Sequence, residues 1–325
     1  MKFSAMIVGC GKFAGLSSSK NIITHAEAFA KSKEIDLVAC VDTNKYNLLK
    51  FKKKYNCKDY SSIDHALSSN KIDIASVCTN NEMHYSVVRE LIISKYYPKV
   101  IFLEKPAFLK ISEFNKIREL NRTKKIKIVV NHTRRFNSNF RILKKIISKN
   151  KFGNPIRIST NYYGGWVNNG CHLVDSILFL FNKEIEIIKI YGFEKSRFLN
   201  DPSFNVLGKF KDKNTKIYFN AINEKYYQIF EFDIWFEKAR IRIENFETKF
   251  FLDIKKIDEN RENILVRKKI NRNFSTKNEL DNALSELCIY LRNKKSKILD
   301  DKDLSNALTT MKVIWSIKNF KIRKR

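Results

Sequence analysis

The segment AMIVGCGKFAG, residues 5–15, decides the fold of the N-terminal half of the chain. An apolar run at residues 5–8 leads straight into glycines at positions 9 and 11, followed by the small Ala14, which gives the pattern G-x-G-x-x-A. Such a pattern has meaning where it follows a strand and precedes a helix. There the first glycine permits a tight turn, the second lets the backbone approach a pyrophosphate, and the third small residue lets helix and sheet pack closely.

The residues after this turn alternate between strand-like and helix-like patterns. Short apolar or β-branched runs recur at residues 35–41, 72–78, 100–103 and 126–130, and helical patterns lie between them. Such alternation predicts βαβ units with a parallel sheet, which binds ligands at the carboxyl ends of its strands. We therefore predict an α/β fold whose N-terminal part is a doubly wound Rossmann sheet.

The glycine turn favours a dinucleotide ligand over a purely structural turn, because the helix that follows offers free amide groups to phosphates. Residues 16–24 are interpreted as an inserted loop before that helix resumes at His25. A P-loop is excluded because Lys12 is not followed by Ser or Thr. Asp42 ends the second strand, where a carboxylate accepts hydrogen bonds from both ribose hydroxyls and repels a 2′-phosphate. The sequence thus favours NAD over NADP.

The length of 325 residues predicts two domains, which we place at residues 1–125 and 126–325. The net charge of +29 raises the question of a nucleic-acid partner. The excess lysine is spread along the chain, however, and only residues 318–325 form a dense basic cluster. We therefore expect no nucleic-acid partner.

The six cysteines are scattered and form no CxxC pair, so we interpret them as reduced core residues and predict no metal site. No apolar run approaches the length of a membrane span, and the N-terminus lacks the layout of a signal peptide. We expect a cytoplasmic protein that does not interact with membranes.

Four further segments carry a family resemblance. They are TNNEMH at residues 79–84, EKP at 104–106, NHTRRFN at 131–137 and GCHLVD at 170–175. Together with the glycine turn they resemble the glucose-fructose oxidoreductase, inositol dehydrogenase and MocA family, although Asn80 stands where the family usually has Pro. Over nearly the whole chain, the resemblance implies a Rossmann domain followed by a second, α+β domain.

The second domain is expected to hold an open, mostly antiparallel sheet that binds substrate on one face. Alternating segments at residues 156–163, 216–222, 228–236 and 240–244 predict that sheet independently. The resemblance further implies a homo-oligomer, a dimer or tetramer, formed through the other face of the sheet. It also implies that a C-terminal helix packs back toward the Rossmann domain.

The glycine turn, Asp42 and the ends of the next two strands supply the predicted cofactor contacts. These are Gly9, Gly11, Lys12, Phe13, Ala14, Asp42, Thr79, Asn80, Asn81, His84, Glu104 and Lys105.

His172 is the predicted general base, because a neutral imidazole takes a hydroxyl proton near neutral pH while hydride leaves the adjacent carbon. If Asn168 or Asn169 starts the helix, the helix dipole helps to keep the ring neutral. As the resemblance implies, Lys105 places an ammonium near the same oxygen and stabilises alkoxide character. The alternatives are a hydrogen-bonded core histidine and a structural ion pair of Lys105 with Glu104 or another acid.

Around His172 lie the remaining predicted substrate contacts. The full set is Lys105, Arg135, Tyr163, Asn168, Asn169 and His172. Many dehydrogenases of the family carry Asp where Asn168 stands, and an amide cannot supply a negative charge or take a proton. Asn168, His172 and Asp175 have the spacing of one helical face, and Asp175 either orients His172 or holds the helix.

These observations predict an NAD(P)-dependent oxidoreductase that transfers a hydride between nicotinamide and a hydroxyl or keto carbon of a sugar or nucleotide sugar. The run YYGGWVNNG at residues 162–170 resembles family members associated with bacterial surface-polysaccharide sugars. The alternative, motivated by Asn168, is a catalytically inactive dinucleotide-binding regulatory protein of the same fold.

Overall fold

The computed structural model describes residues 2–18, 23–268, 278–296, 298–299 and 303–317. Its strands are β1 (Phe3–Val8), β2 (Ile35–Val41), β3 (Lys58–Tyr60), β4 (Ile74–Val77), β5 (Val100–Leu103), β6 (Lys127–Val130), β7 (Pro155–Tyr162), β8 (Ile185–Glu194), β9 (Ser203–Phe210), β10 (Lys216–Ala221), β11 (Glu231–Phe236), β12 (Ala239–Glu244), β13 (Lys249–Ile257) and β14 (Asn263–Lys268). Its α-helices are α1 (His25–Lys31), α2 (Lys45–Tyr55), α3 (Ile63–Ser69), α4 (His84–Ile93), α5 (Ile111–Lys124), α6 (Thr133–Phe136), α7 (Ser138–Ser148), α8 (Cys171–Phe181), α9 (Glu279–Asn293) and α10 (Asp303–Ser316).

The first sheet is parallel throughout and has the strand order β3-β2-β1-β4-β5-β6. In the central strand β1, Val8 pairs with Val41 of β2 on one side and with Val77 of β4 on the other. The strand order therefore reverses direction between β1 and β4, which creates a crevice outside the carboxyl ends of the strands. That crevice is where a ligand of this kind of sheet binds.

Burial and capping explain why these segments take their structure. β4, β5 and β6 are buried along their whole length, as expected for parallel strands covered by helices on both faces. α1 begins at His25 because Thr24 caps it: the Thr24 hydroxyl accepts from the Glu27 amide, and the Glu27 carboxylate accepts from the Thr24 amide. The cap confirms the predicted start of this helix.

The chain forms two compact units. The first is Met1–Asn137 with Thr276–Thr309, and the second is Ser138–Ser275 with Thr310–Arg325. The first unit extends past the expected boundary at residue 125, because β6 pairs with β5 and completes the parallel sheet. α9 belongs to this unit as well, since Leu284 and Leu287 join the core cluster that contains Ile7 and Phe102.

The sheet of the second unit has the order β14-β13-β12-β11-β7-β10-β9-β8, and its neighbouring strands are antiparallel except for β7 and β10. Buried and half-buried residues alternate along β11 and β12, so one face of the sheet lies in the core. α7 packs on that face, with the ring of Phe140 5.8 Å from the ring of Phe232. The predicted fold class is confirmed.

Several strands escaped the sequence analysis, namely β3, β8, β9, β13 and β14. β3 has three residues, and β14 is an edge strand with mostly exposed side chains, so neither length nor alternation marks them. No helix in the described parts of the chain is long and apolar enough to cross a membrane. The basic cluster at residues 318–325 lies outside the described residues.

Candidate functional site

The turn after β1 passes very close to the loop that follows β4. Gly9 has a φ of +90°, and a Cβ at this position would lie 2.7 Å from the backbone nitrogen of Thr79, so glycine is required here. At Gly11 a Cβ would meet nothing within 4 Å, which leaves the surface beside it open to a ligand. A single π-helical turn, Lys12–Leu16, follows where a regular helix was predicted, and the regular helix α1 begins only at His25.

A groove of about 630 Å³ lies at the carboxyl ends of β1, β2 and β4. Of the predicted cofactor contacts, it brings together Gly9, Gly11, Asp42, Thr79 and Asn80. Its described lining includes the acids Asp42 and Glu90 and no lysine or arginine. The open cradle at Gly11 and this groove fit a dinucleotide, and the acidic lining offers no cation to a 2′-phosphate.

Asp42 connects the end of β2 to the glycine turn. Its Oδ2 accepts a hydrogen bond from the Cys10 amide at 2.6 Å, and its Oδ1 accepts one from the Asn44 amide at 2.8 Å. Each carboxylate oxygen has a second lone pair, so Asp42 can bind ribose hydroxyls while it holds the turn.

The π-helical turn carries three more predicted cofactor contacts, which differ in their exposure to solvent. Lys12 and Phe13 are exposed, whereas Ala14 is fully buried beneath them, as close packing of the turn on the sheet requires. Asn81 begins a short 3₁₀ turn after β4. Contact of these residues with a cofactor stays a prediction.

His84 is fully buried and links two loops. Its Nδ1 lies 2.8 Å from the carbonyl oxygen of Pro106, and its Nε2 lies 3.1 Å from that of Thr79. Burial lowers the pKa of His84, so the ring is neutral near pH 7 and its one N–H donates to one of the two carbonyls. His84 therefore positions the loops that carry Thr79 and the cis Lys105–Pro106 bond. Its direct contact with a cofactor stays a prediction.

A buried polar network surrounds Glu104, and its three other members, His25, Ser76 and Asn131, are not among the site residues predicted from the sequence. The imidazole of His25 lies with Nε2 2.7 Å from Glu104 Oε1 and Nδ1 2.7 Å from Ser76 Oγ. Asn131 Nδ2 donates to the same Glu104 oxygen at 2.6 Å. Asn131 directly follows β6, which is a weak signal in the sequence, but nothing local marks His25 as a partner of a residue 79 positions away.

Glu104 is ionised at neutral pH although it is largely buried. Burial alone would raise its pKa, but His25, Asn131 and the charge of Lys105 lower it to about 2. The half-buried Lys105 therefore carries its ammonium next to a permanent carboxylate at the end of β5.

In the second unit, Asp201 holds the π-helical turn Trp166–Gly170 that follows β7. Its Oδ1 accepts from the Val167 amide at 2.8 Å, and its Oδ2 accepts from the backbone and side-chain nitrogens of Asn168 at 2.9 and 2.8 Å. Gly165 leaves the room for this carboxylate, because a Cβ there would collide with Oδ2. Asp201 thus places a carboxylate beside Asn168, and no local pattern in the sequence marks this pair, because 33 residues separate the two.

His172 is the second residue of α8 and is half-buried. Its ring meets the ring of Phe230 edge-on at 6.4 Å. At this end of a helix the dipole disfavours an added positive charge. The predicted α-helical spacing from Asn168 to His172 does not apply, because a π-helical turn ends at Gly170 before α8 begins.

Asp175 connects two helices of the second unit. It is 2% exposed, and its Oδ1 accepts from the Thr310 hydroxyl on α10 at 2.9 Å. Of the two roles that the sequence left open for Asp175, this bond supports holding the helix, and the role of orienting His172 stays a prediction.

The remaining predicted substrate contacts lie in both units. Asn169 Nδ2 donates to the carbonyl oxygen of Tyr163 at 2.8 Å, and both side chains are half-buried beside the same π-helical turn as Asn168. Arg135 is half-buried on α6 of the first unit. Substrate binding by these residues stays a prediction.

The first unit was compared with models of known protein families, and the whole chain with curated proteins. Residues 3–132 match the family model described as oxidoreductase family, NAD-binding Rossmann fold. A search of the curated proteins found no match.

Solved structures share the fold over almost the whole chain. A mutant 3-ketoreductase from Actinomadura kijaniata in complex with TDP-benzene and NADP is 8% identical, with a TM-score of 0.79 and 98% of each chain covered. An aldose-aldose oxidoreductase from Caulobacter crescentus complexed with glycerol is 14% identical, with a TM-score of 0.78 and coverage of 98% of this chain and 97% of the other. A dehydrogenase from Clostridium difficile is 17% identical, with a TM-score of 0.73 and coverage of 98% and 99%.

Proposed function

Because residues 3–132 belong to the oxidoreductase family with an NAD-binding Rossmann fold, we propose that the chain transfers a hydride between a nicotinamide dinucleotide and a hydroxyl or keto carbon of a sugar or nucleotide sugar. The observation that carries this proposal is the groove at the ends of β1, β2 and β4, with its open cradle at Gly11. The sugar substrate is supported by the shared fold of the 3-ketoreductase and the aldose-aldose oxidoreductase. We further propose surface-polysaccharide biosynthesis as the setting.

In the proposed oxidation, His172 takes the proton of the substrate hydroxyl on an imidazole nitrogen. The ammonium of Lys105 donates a hydrogen bond to the same oxygen and stabilises its alkoxide character. When bound, the nicotinamide supplies the hydride acceptor. In the reverse direction the imidazolium returns the proton to the carbonyl oxygen. Asn168 orients the substrate, because its hydrogen bond to Asp201 fixes the direction of its amide.

The proposed activity is tested by following nicotinamide absorbance with a panel of sugars and nucleotide sugars. We expect turnover with at least one of them. Cofactor binding without turnover on any compound would instead favour the regulatory protein.

NAD rather than NADP is the proposed cofactor, because the Asp42 carboxylate lies beside the glycine turn, in a groove whose described lining holds no lysine or arginine. We expect Asp42→Ala to weaken NAD binding, because the ribose hydroxyls lose an acceptor. The ratio of the Kd for NADP to the Kd for NAD should fall by about tenfold, because the 2′-phosphate no longer meets a carboxylate. The measurement is the Kd of both cofactors for the wild type and the variant.

Glu90→Gln is the matched control for Asp42, because it neutralises the other acid of the same groove. It should leave the preference nearly unchanged. Tighter binding of NADP than of NAD by the wild type would contradict the assignment of Asp42.

A homo-oligomer is proposed through the face of the second sheet that points away from α7. There Arg240 makes a bidentate ion pair with Asp233, at 2.8 and 2.6 Å, and stacks over the ring of Trp235 at 4.0 Å. Half-buried aromatic and arginine side chains of this kind are typical of interfaces. Light scattering should find a dimer or tetramer, and a monomer at micromolar concentration would contradict this proposal.

A further inference from the structure

His25 is a buried imidazole between two strands of the first unit. Its ring is 2% exposed, and its two nitrogens lie 2.7 Å from Ser76 Oγ and 2.7 Å from Glu104 Oε1. Burial alone would lower the pKa of His25, but Cys78 and Glu104 raise it to about 10. Both ring nitrogens therefore carry hydrogen near pH 7, and they donate to Ser76 and to Glu104.

Both hydrogen bonds to the Glu104 side chain reach the same carboxylate oxygen. His25 and Asn131 both donate to Oε1, whereas no hydrogen bond from the described residues reaches Oε2. The Glu104 side chain keeps 18% of its surface exposed. Two buried donors thus fix the orientation of the carboxylate and leave its second oxygen as an acceptor for a ligand.

Asn131 accepts nothing in return for its donation. Its Oδ1 is buried and has no hydrogen-bond partner among the described parts of the chain. A buried acceptor without a partner is unfavourable, so Asn131 does not add to stability as a fully satisfied core amide would. The bond from its Nδ2 to Glu104 Oε1 fits a role in holding Glu104.

The network lies on the opposite side of the sheet centre from the groove. Asp42 and the groove occupy the ends of β1, β2 and β4, whereas Glu104 and Asn131 follow β5 and β6. A dinucleotide on such a sheet crosses the point where the strand order reverses. If the adenosine half lay in the groove, the nicotinamide half would lie toward the ends of β5 and β6. The carboxamide of nicotinamide has two N–H donors, which suit a carboxylate oxygen.

We propose that His25 and Asn131 are positioning residues that hold one oxygen of Glu104, so that the other accepts a hydrogen bond from the carboxamide of the nicotinamide. The proposal rests on dinucleotide binding as proposed above. It assigns the recognition of the nicotinamide amide to a network that begins at the first residue of α1.

Binding measurements with three ligands test the proposal without turnover. NADH carries the carboxamide, the reduced 3-acetylpyridine analogue has a methyl group in place of its amino group, and ADP-ribose lacks the ring altogether. We expect the wild-type chain to bind NADH roughly tenfold to a hundredfold more tightly than the acetylpyridine analogue, because a hydrogen bond to a charged acceptor is lost. Equal affinity for the two would overturn the proposal, and this comparison needs no variant.

Variants then assign the effect to the network. The variants Asn131→Leu and His25→Leu should bind NADH only as tightly as they bind the acetylpyridine analogue. Their affinity for ADP-ribose should stay within about twofold of the wild-type value, because the network lies away from the groove. His25→Gln, which keeps a donor toward Glu104, should restore most of the preference. Equal losses for all three ligands would mean a purely structural role and overturn the proposal.

The same data separate this inference from the proposed function. Failure of the wild-type chain to bind ADP-ribose and NADH would contradict dinucleotide binding itself. Tight ADP-ribose binding without a preference for the carboxamide would contradict only the role of His25, Asn131 and Glu104.

Discussion

Replacing Lys105 by alanine should lower kcat about 100- to 1,000-fold, the usual effect of removing one donor to a developing oxyanion. Lys105 directly follows the ionised Glu104 at the end of β5, and in the proposed mechanism it donates to the substrate oxygen. We expect the Kd for NADH to change much less than kcat, because the lysine acts on the alkoxide that forms during the reaction. Steady-state kinetics together with NADH titration measure both quantities.

Two variants serve as controls for Lys105. Lys105→Arg keeps the charge with a different shape, and we expect it to recover part of the activity. Lys95→Ala removes an exposed lysine that stacks on Tyr96 and should leave kcat unchanged. If Lys105→Ala retains full turnover, the lysine is only a structural partner of Glu104.

His172→Ala should reduce the rate of alcohol oxidation by about 100- to 10,000-fold, as expected for loss of a general base. The wild-type rate should rise in one step as pH increases, because the imidazole accepts a proton only in its neutral form. The variant should lose this step in the profile. The measurement is kcat/KM as a function of pH for both proteins, with the best sugar from the panel.

His65→Ala is the matched control, because His65 is an exposed histidine that meets the Tyr60 ring on the surface. It should keep the full rate and the pH profile of the wild type. A His172→Ala protein with an unchanged profile would make His172 a packing partner of Phe230 and would assign the proton transfer elsewhere.

Asp201 changes how the asparagine at position 168 is interpreted. The sequence presents Asn168 as the loss of a carboxylate, which motivated the regulatory alternative. In the structure a carboxylate is present, but it comes from the loop before β9 and accepts two hydrogen bonds from Asn168. The substitution therefore does not by itself remove negative charge from this part of the second unit, and the case for an inactive protein loses its main argument.

The resemblance to the glucose-fructose oxidoreductase, inositol dehydrogenase and MocA family agrees, over residues 3–132, with the family model that these residues match. It was visible because its motifs follow directly from strand ends: the glycine turn after β1, Thr79 near the end of β4, and Glu104 after β5. Residues at these positions can be predicted from the local sequence pattern alone, because the residues that follow parallel strands lie at the ligand-binding edge of the sheet.

The sequence by itself determined the parallel sheet, the glycine turn and the acid after β2, because apolar periodicity and glycine spacing are local properties of the chain. The tertiary structure decided which polar groups meet. His25 reaches Glu104 across 79 residues, and Asp201 reaches Asn168 across 33. Such pairs produce no periodic pattern in the sequence, because the packing of two separate elements places the two partners. They pair in the folded chain because a buried charge without a partner is unfavourable.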